Sequence, residues 1–161
     1  MTVKPYVLAE KAYLTDLRRH FHAHPEVSLQ EYETCKKIEG ELDSMGIPHK
    51  RIGETGVYGW IDGKKAGDGV TVALRADIDA LAMEDLKEVP YHSQNAGVCH
   101  ACGHDAHTAT LLTVAKILKA KENEFSGQVR LFFQQAEEIG QGARHFVQAG
   151  LLDGVTRVFG A

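Results

Sequence analysis

The order of apolar segments along this chain predicts an α/β fold, a sheet with helices on both of its faces. Short apolar segments of strand-like composition alternate with longer ones in which apolar residues recur at helical spacing. The 161 residues, of which 43% are hydrophobic and 25% charged, are enough for one core. Because sheets of this class bind ligands beyond the carboxyl ends of their strands, the residues that follow each strand are the first site candidates.

Two helices are predicted in the first third of the chain. The first covers Tyr6 to His22 and ends before Pro25, since the residue that precedes a proline is disfavoured in the helical region. The second begins at a capping box formed by Ser28 and Glu31 and ends at Gly46. Its apolar face consists of Cys35, Ile38, Leu42 and Met45.

After Gly46 the pattern predicts strands that alternate with helices. Short runs of β-branched and aromatic residues predict four strands, at 57–62, 70–76, 128–133 and 155–159. A polar loop at 90–103 precedes a largely buried helix at 105–120, and a short helix is predicted at 142–149. We therefore expect one sheet with a long helix packed against it.

The charge and composition of the chain exclude several classes of protein. The formal net charge is −4, and the 22 acidic and 18 basic residues are scattered, so no basic face is predicted to follow a phosphate backbone. No apolar run approaches the ~20 residues that span a bilayer, and the first residues lack the pattern of a signal peptide. We expect a cytoplasmic protein that binds neither nucleic acid nor membranes.

Cysteine and histidine are concentrated in one short stretch of the chain. Four of the nine histidines and two of the three cysteines lie between positions 92 and 107, which is typical of a metal site. Within it, Cys102-Gly103-His104 stands at a predicted helix start, where glycine lets the backbone bend and the helix dipole favours a thiolate. Two other interpretations stay open: a structural cysteine beside a capping histidine, and a redox or zinc-knuckle pair of Cys99 and Cys102.

Two pairs of carboxylates follow predicted strands. Asp77 and Asp79 come after the second strand, and Glu137 and Glu138 come after the third. Adjacent glutamates in a non-helical segment point in different directions, so one is available to a metal and the other to a proton of water. With Cys102, these carboxylates predict a site for zinc or another first-row divalent ion and metal-assisted hydrolysis. The alternatives are solvated acidic residues and ordinary turn residues.

Four segments of the chain carry a family resemblance. In sequence letters they are LRRHFHAHPE (17–26), LRADIDAL (74–81), HACGHDAHTA (100–109) and FQQAEE (133–138). In this order and at this spacing they resemble the N-acyl amino acid amidohydrolases. That family includes hippurate hydrolases, plant auxin-conjugate hydrolases and N-acetyldiaminopimelate deacetylases, and the resemblance covers nearly the whole chain.

The resemblance implies a fold, a site and a reaction. The fold is an aminopeptidase-like mixed sheet flanked by helices. The site is a centre of two divalent metal ions, manganese or zinc with cobalt or nickel as further options, and its ligands include Cys102, His104 and Glu138. Glu137 is the implied general acid/base, and Asp79 orients the base or a ligand. The implied reaction is hydrolysis of the amide bond of an N-acyl amino acid, by a homodimer or homotetramer.

Two departures from the family pattern qualify this interpretation. Gln135 stands where the family usually has proline, so a looser glutamate turn is expected. The family motif after the last strand continues to a ligand histidine, whereas this chain ends at Phe159-Gly160-Ala161. We interpret 1–161 as the N-terminal part of a catalytic domain, with the dimerisation domain and the C-terminal part absent. The alternative is a non-catalytic metal-binding or interaction module with an incomplete ligand set.

Overall fold

The computed structural model describes residues 4–161, which form one mixed sheet and five helices. The strands are β1 (His49–Ile52), β2 (Gly56–Asp62), β3 (Thr71–Asp77), β4 (Gln128–Gln134) and β5 (Val155–Gly160). The helices are α1 (Pro5–Leu8), α2 (Lys11–Ala23), α3 (Tyr32–Ser44), α4 (His104–Ala120) and α5 (Gly142–Gln148). The strand order is β1-β2-β4-β3-β5. β2 is antiparallel to both neighbours, whereas β3 is parallel to β4 and β5, so the predicted mixed α/β sheet is confirmed.

Helices cover the two faces of the sheet unequally. Successive residues of a strand point to opposite faces, and on one face Val57, Leu131 and Phe133 are buried under α2, α3 and α4. On the other face Phe132 of β4 packs against Phe146 of α5, with ring centroids 5.2 Å apart. β5 is exposed over most of its length. One face therefore holds the main core, and the other is only partly covered.

The predicted helix at 6–22 is wrong, because the structure has two helices there. α1 and α2 are separated by a turn at Ala9 and Glu10. Leu17 and Phe21 of α2 are buried in the core, but α1 buries no residue. Packing therefore fixes α2 against α4 and does not hold α1 in line with it.

The predicted capping box of α3 is also wrong. The helix begins at Tyr32, and the preceding Glu31 makes no side-chain hydrogen bond to it. The Ser28 hydroxyl instead donates to the Asp79 carboxylate at 2.6 Å, and the Glu31 carboxylate accepts the backbone N–H of Ala136 at 2.9 Å. Both predicted capping groups are thus bound by distant segments.

Most other boundaries agree with the prediction to within one or two residues. Cys35, Ile38 and Leu42 form the buried face of α3, and Gly46 follows the helix with φ of +64°. β1 carries no pattern that predicts it, since Ile52 is its one buried residue and its strand geometry comes from pairing with β2. Among residues 4–161, no helix combines the length and apolar character that a membrane span requires.

The sheet brings the predicted site residues to one edge. β3 and β4 are parallel neighbours in register, with Ala76 opposite Phe133 and Asp77 opposite Gln134. Their carboxyl ends therefore lie side by side, and the chain after each strand carries the carboxylates singled out above. The N-terminus of α4, which packs on β3, meets them there.

Candidate metal centre

The structure brings Cys102, His104 and Glu138 together at this edge of the sheet. The thiol sulfur, an imidazole nitrogen and a carboxylate oxygen all lie within 4.8 Å of one another. His104 Nε2 is 3.8 Å from Glu138 Oε1, too far for a hydrogen bond, and this buried oxygen has no hydrogen-bond partner. Buried polar atoms are normally satisfied. An orphaned carboxylate oxygen facing an imidazole and a thiol fits a divalent first-row cation.

His104 is oriented by a hydrogen bond to the backbone just after strand β3. Gly103 adopts φ of +97°, and His104, buried at 2% exposure, begins α4. Its Nδ1 lies 2.9 Å from the carbonyl oxygen of Asp79, which only accepts hydrogen bonds, so Nδ1 carries the proton. Nε2 therefore presents a lone pair toward the site, the arrangement found in histidines that bind metals.

Three carboxylates surround the Nε2 atom of His104. The distances are 3.6 Å to Asp77 Oδ2, 3.8 Å to Glu138 Oε1 and 3.9 Å to Glu137 Oε2. Burial lowers the pKa of His104, but its hydrogen bond to Asp79 and the charges of Asp77 and Asp79 outweigh burial and raise the pKa above 6.5. The site thus has the negative potential that attracts a cation.

The environment of the Cys102 thiol differs from the prediction. The side chain is exposed, yet desolvation and then the charges of Glu138, Asp77 and Glu137 raise the pKa of the thiol above its ordinary value. The expected thiolate is therefore not favoured in the metal-free chain, because desolvation and the neighbouring carboxylates both favour the thiol. A compensating cation is needed to favour the thiolate.

Asp79 links the two segments that carry the candidate ligands. Its Oδ2 accepts the hydroxyl of Ser28 at 2.6 Å and the backbone N–H of Glu138 at 3.0 Å. Burial raises the pKa of Asp79, but hydrogen bonds with His104, Ser28 and the backbone N–H groups of Glu138 and Glu137 bring it to about 2. Asp79 is thus a buried, ionised group that fixes both His104 and the glutamate turn.

The two adjacent glutamates lie in different environments. The side chain of Glu138 is 19% exposed and that of Glu137 is 40% exposed. The preceding residue, Ala136, has φ of +51°. The turn therefore directs one carboxylate inward and leaves the other at the rim, where water has access to it.

A second cluster, Asp77 with His104 and His107, also has donor atoms within 4.8 Å of one another. Its carboxylate is already bound: Oδ1 to His107 Nδ1 at 2.6 Å and Oδ2 to Arg75 Nη1 at 2.7 Å. Because the guanidinium supplies the positive charge, this cluster is an ion-pair network beside the site. Sequence reasoning assigned no role to His107, although its spacing from His104 puts both on one face of α4.

The Cys-x-x-Cys interpretation gains no support from the structure. Cys35, Cys99 and Cys102 are all free. Cys99 is buried, its backbone pairs with Leu81, and burial raises the pKa of its thiol. A buried thiol of raised pKa is a poor nucleophile, so Cys99 is a structural residue. His100 is buried as well, and desolvation lowers its pKa to about 4.

The sequence of this chain is similar to those of known hydrolases. A family model described as Peptidase family M20/M25/M40 matches residues 73–161. The chain is 46% identical over 149 residues to IAA-amino acid hydrolase ILR1-like 4 of Arabidopsis thaliana, a match covering 92% of this chain and 33% of that protein. It is 43% identical over 161 residues to N-acetylcysteine deacetylase of Bacillus subtilis, covering 95% and 41%.

A solved structure with the same fold has a two-metal site. The YXEP protein of Bacillus subtilis, described as a dinuclear metal binding peptidase from the M20 family, superposes with a TM-score of 0.89 at 43% identity. The match covers 95% of this chain and 43% of that one. This chain spans 33% and 41% of the length of the two curated relatives named above. Because the family model covers more than half of its residues, the chain belongs to peptidase family M20/M25/M40.

Proposed function

We propose that residues 1–161 form the N-terminal part of the catalytic domain of a metal-dependent amidohydrolase. The observation that carries this proposal is the group of Cys102, His104 and Glu138 around a buried carboxylate oxygen without a hydrogen-bond partner. The remaining length of the relatives corresponds, in this proposal, to a dimerisation domain and the rest of the catalytic domain. The complete protein is then a homodimer or homotetramer.

The three ligands suit a divalent ion, and the centre is proposed to hold two. Zinc and manganese are the first candidates, followed by cobalt and nickel; a thiolate ligand favours the softer ions. When bound, such an ion lowers the pKa of water and polarises a carbonyl oxygen. Cys102, His104 and Glu138 provide ligands for one ion, so we expect the further ligands of a pair in the rest of the protein.

Glu137 and Asp79 are proposed to serve the reaction without binding the metal. Glu137, at the rim of the site and 3.9 Å from His104 Nε2, takes a proton from water and hands it to the departing amine nitrogen. Asp79 holds the tautomer of His104 through its carbonyl and the Glu138 backbone through its carboxylate. Each residue thus has a task that its contacts support.

The substrate is proposed to be an N-acyl amino acid or a similar small amide. The names of two relatives, an IAA-amino acid hydrolase and an N-acetylcysteine deacetylase, both describe cleavage between an acyl group and an amino acid. The acyl groups in those names differ in size. The shared feature is the amide bond between an acyl group and an amino acid, and this is the bond that we propose the complete protein cleaves.

A chimera tests this proposal. Residues 1–161 replace the corresponding segment of the Bacillus subtilis N-acetylcysteine deacetylase, and hydrolysis of N-acetylcysteine is measured with added manganese or zinc. We expect turnover by the chimera. Glu137→Gln should keep metal and fold but lose about 10²–10⁴-fold of the rate, as for a general base. Glu138→Gln should lose metal as well.

Two outcomes would contradict the assignment. Loss of metal in Glu137→Gln but not in Glu138→Gln would reverse the two roles. A folded, metal-loaded chimera without turnover would contradict the amidohydrolase proposal and favour a non-catalytic metal-binding module.

A further inference from the structure

Backbone strain in this chain is concentrated around one carboxylate. Among the non-glycine residues that the structure describes, Leu29 and Ala136 have positive φ, of +65° and +51°. This region is unfavourable for residues with a Cβ atom and persists where the surroundings enforce it. Leu29 lies two residues before Glu31 in the sequence, and Ala136 contacts the Glu31 side chain.

Glu31 is fully buried and binds the strained backbone. Its Oε1 accepts the N–H of Ala136 at 2.9 Å. Burial raises the pKa of Glu31, and hydrogen bonds from Thr55 and from the backbone of Ala136 and Leu29 oppose that rise. The side chain makes no cap bond to α3. The buried Glu31 carboxylate therefore does not cap α3 and instead binds the backbone of the turn at Ala136.

The position of Ala136 gives this contact a consequence for the site. Ala136 directly precedes Glu137 and Glu138, and the N–H of Glu138 is held by Asp79 Oδ2 at 3.0 Å. Two buried carboxylates thus fix the turn. Glu31 binds the N–H of Ala136, just before the two glutamates, and Asp79 binds the N–H of Glu138. A change of φ at Ala136 would rotate the chain between these two contacts.

We propose that Glu31 is a positioning residue of the metal centre. Its carboxylate holds Ala136 in the left-handed region, and this conformation turns Glu138 toward His104 and leaves Glu137 at the rim. The inference rests on the proposed function, in which Glu138 is a metal ligand. It assigns to the residue that precedes α3 a part in a site whose two glutamates lie more than a hundred residues further along the chain.

The first test is Co²⁺ binding by the 161-residue chain, followed by absorption spectroscopy. Glu31→Ala should raise the Co²⁺ dissociation constant by about 10–100-fold, the usual cost of losing a group that orients a ligand. The charge-transfer band from the Cys102 thiolate should remain at saturating Co²⁺, because Cys102 and His104 are not moved. The matched control is Glu33→Ala in the same helix, whose side chain is 70% exposed and pairs with Lys36, and it should leave affinity unchanged.

The second test asks whether the effect passes through the backbone of Ala136. Glycine adopts positive φ without strain, so Ala136→Gly combined with Glu31→Ala should recover part of the lost affinity. A role of Glu31 in packing alone predicts no recovery. Should Glu31→Ala fail to fold, Glu31→Met keeps a side chain of similar length without the acceptor oxygen and should bind Co²⁺ more weakly than the unmodified chain. Unchanged affinity in this variant would overturn the positioning role.

A readout without metal separates failure of this inference from failure of the proposed function. Amide hydrogen exchange by NMR should be faster at Ala136 and Glu138 in Glu31→Ala than in Glu33→Ala, with Leu131 in the core unchanged. If neither the unmodified chain nor the chimera bound Co²⁺, the proposed function would be wrong, and amide exchange would still decide whether Glu31 holds the turn. If Glu31→Ala matched Glu33→Ala in both measurements, the positioning role would be overturned.

Discussion

His104 shows how one side chain joins backbone and site. Its Nδ1 donates to the carbonyl of Asp79, and this bond leaves the lone pair of Nε2 among three carboxylates. The imidazole is therefore held in one tautomer. Because the contact is to a backbone carbonyl, replacing the Asp79 side chain would not remove it.

Cys102 should matter for metal binding and Cys99 should not. Cys102 shares the candidate site with His104, whereas Cys99 is buried and faces the carbonyl of Glu84 at 3.9 Å. Cys102→Ser or His104→Ala should lower the divalent metal retained after dialysis, measured by elemental analysis. Cys99→Ser is the matched control and should retain it. Equal loss from both cysteine changes would favour a Cys-x-x-Cys site instead.

Asp79 should make the stability of the fold sensitive to acid. Its pKa is lowered from 3.8 to about 2 in the folded chain. A group with a lower pKa in the folded state stabilises the fold above its unfolded pKa, here above about pH 4. This contribution, on the order of 2 kcal/mol, should be lost as the pH falls toward 2.

The measurement is the free energy of unfolding in urea between pH 5 and pH 2. Asp79→Asn removes the titrating group, so its stability should fall less steeply over this range than that of the unmodified chain. Equal slopes in the two proteins would show that Asp79 does not carry the acid sensitivity.

At the scale of elements, the start of α4 depends on a glycine for its backbone conformation. Gly103 has φ of +97°, and a Cβ atom added there would meet no heavy atom within 4 Å. Gly103→Ala should therefore destabilise the chain by the conformational cost alone, about 1–2 kcal/mol. Gly40, inside α3, also has open space around it but no positive φ. Gly40→Ala should stabilise the chain by about 0.5–1 kcal/mol.

The free energy of unfolding in urea, measured for Gly103→Ala and Gly40→Ala, tests both predictions. If the two glycine changes shifted stability in the same direction, the left-handed conformation of Gly103 would not be the cause of its cost.

Elements with a continuous apolar face could be predicted from sequence, and those made by distant pairing could not. Helix α3 buries residues at helical spacing, and strand β4 is a short, almost continuously buried apolar run, so local pattern is enough. β1 has one buried residue and exists because β2 lies beside it. The capping box was wrong because Ser28 and Glu31 bind Asp79 and Ala136, partners that no local pattern reveals.

The same distinction applies to the candidate site. Cys102, His104, Glu137 and Glu138 belong to short motifs, so their grouping was predictable once the strands were placed. His107 contacts Asp77 from the first turn of α4, and this contact depends on the folded geometry, whereas Arg75 reaches Asp77 from two residues earlier in the same strand, β3. The raised pKa of Cys102 likewise reflects desolvation and nearby carboxylates, both of which arise only on folding.

At the scale of the whole molecule, the 161-residue chain alone should be inactive toward hippurate and N-acetyl amino acids. The three candidate ligands hold at most one ion of a pair, so metal should exchange readily with solvent. Turnover by this chain should be compared with the chimera under the same manganese or zinc. Comparable rates would require a site built wholly within these residues, with His92, His100 and His107 the first to test.

The isolated chain should also associate with itself through β5. This strand pairs with β3 on one side, and Val158 and Phe159 are more than half exposed. An uncovered strand with apolar side chains promotes pairing between chains. Analytical ultracentrifugation should show concentration-dependent association, and Val158→Lys should reduce it. Association unchanged by this substitution would point to a different surface.

The pairing of β2 with β4 sets the timing of folding during synthesis. Asp62 lies opposite Gln128, and Val57 opposite Phe133, so β2 leaves the ribosome long before its partner is made. At ~5–20 residues per second the delay is roughly 3–13 s. Throughout that interval β1 protects one side of β2, while its other side and its apolar face stay open to neighbouring nascent chains. Slower translation of residues 63–127 should therefore lengthen the period in which this polypeptide depends on chaperones.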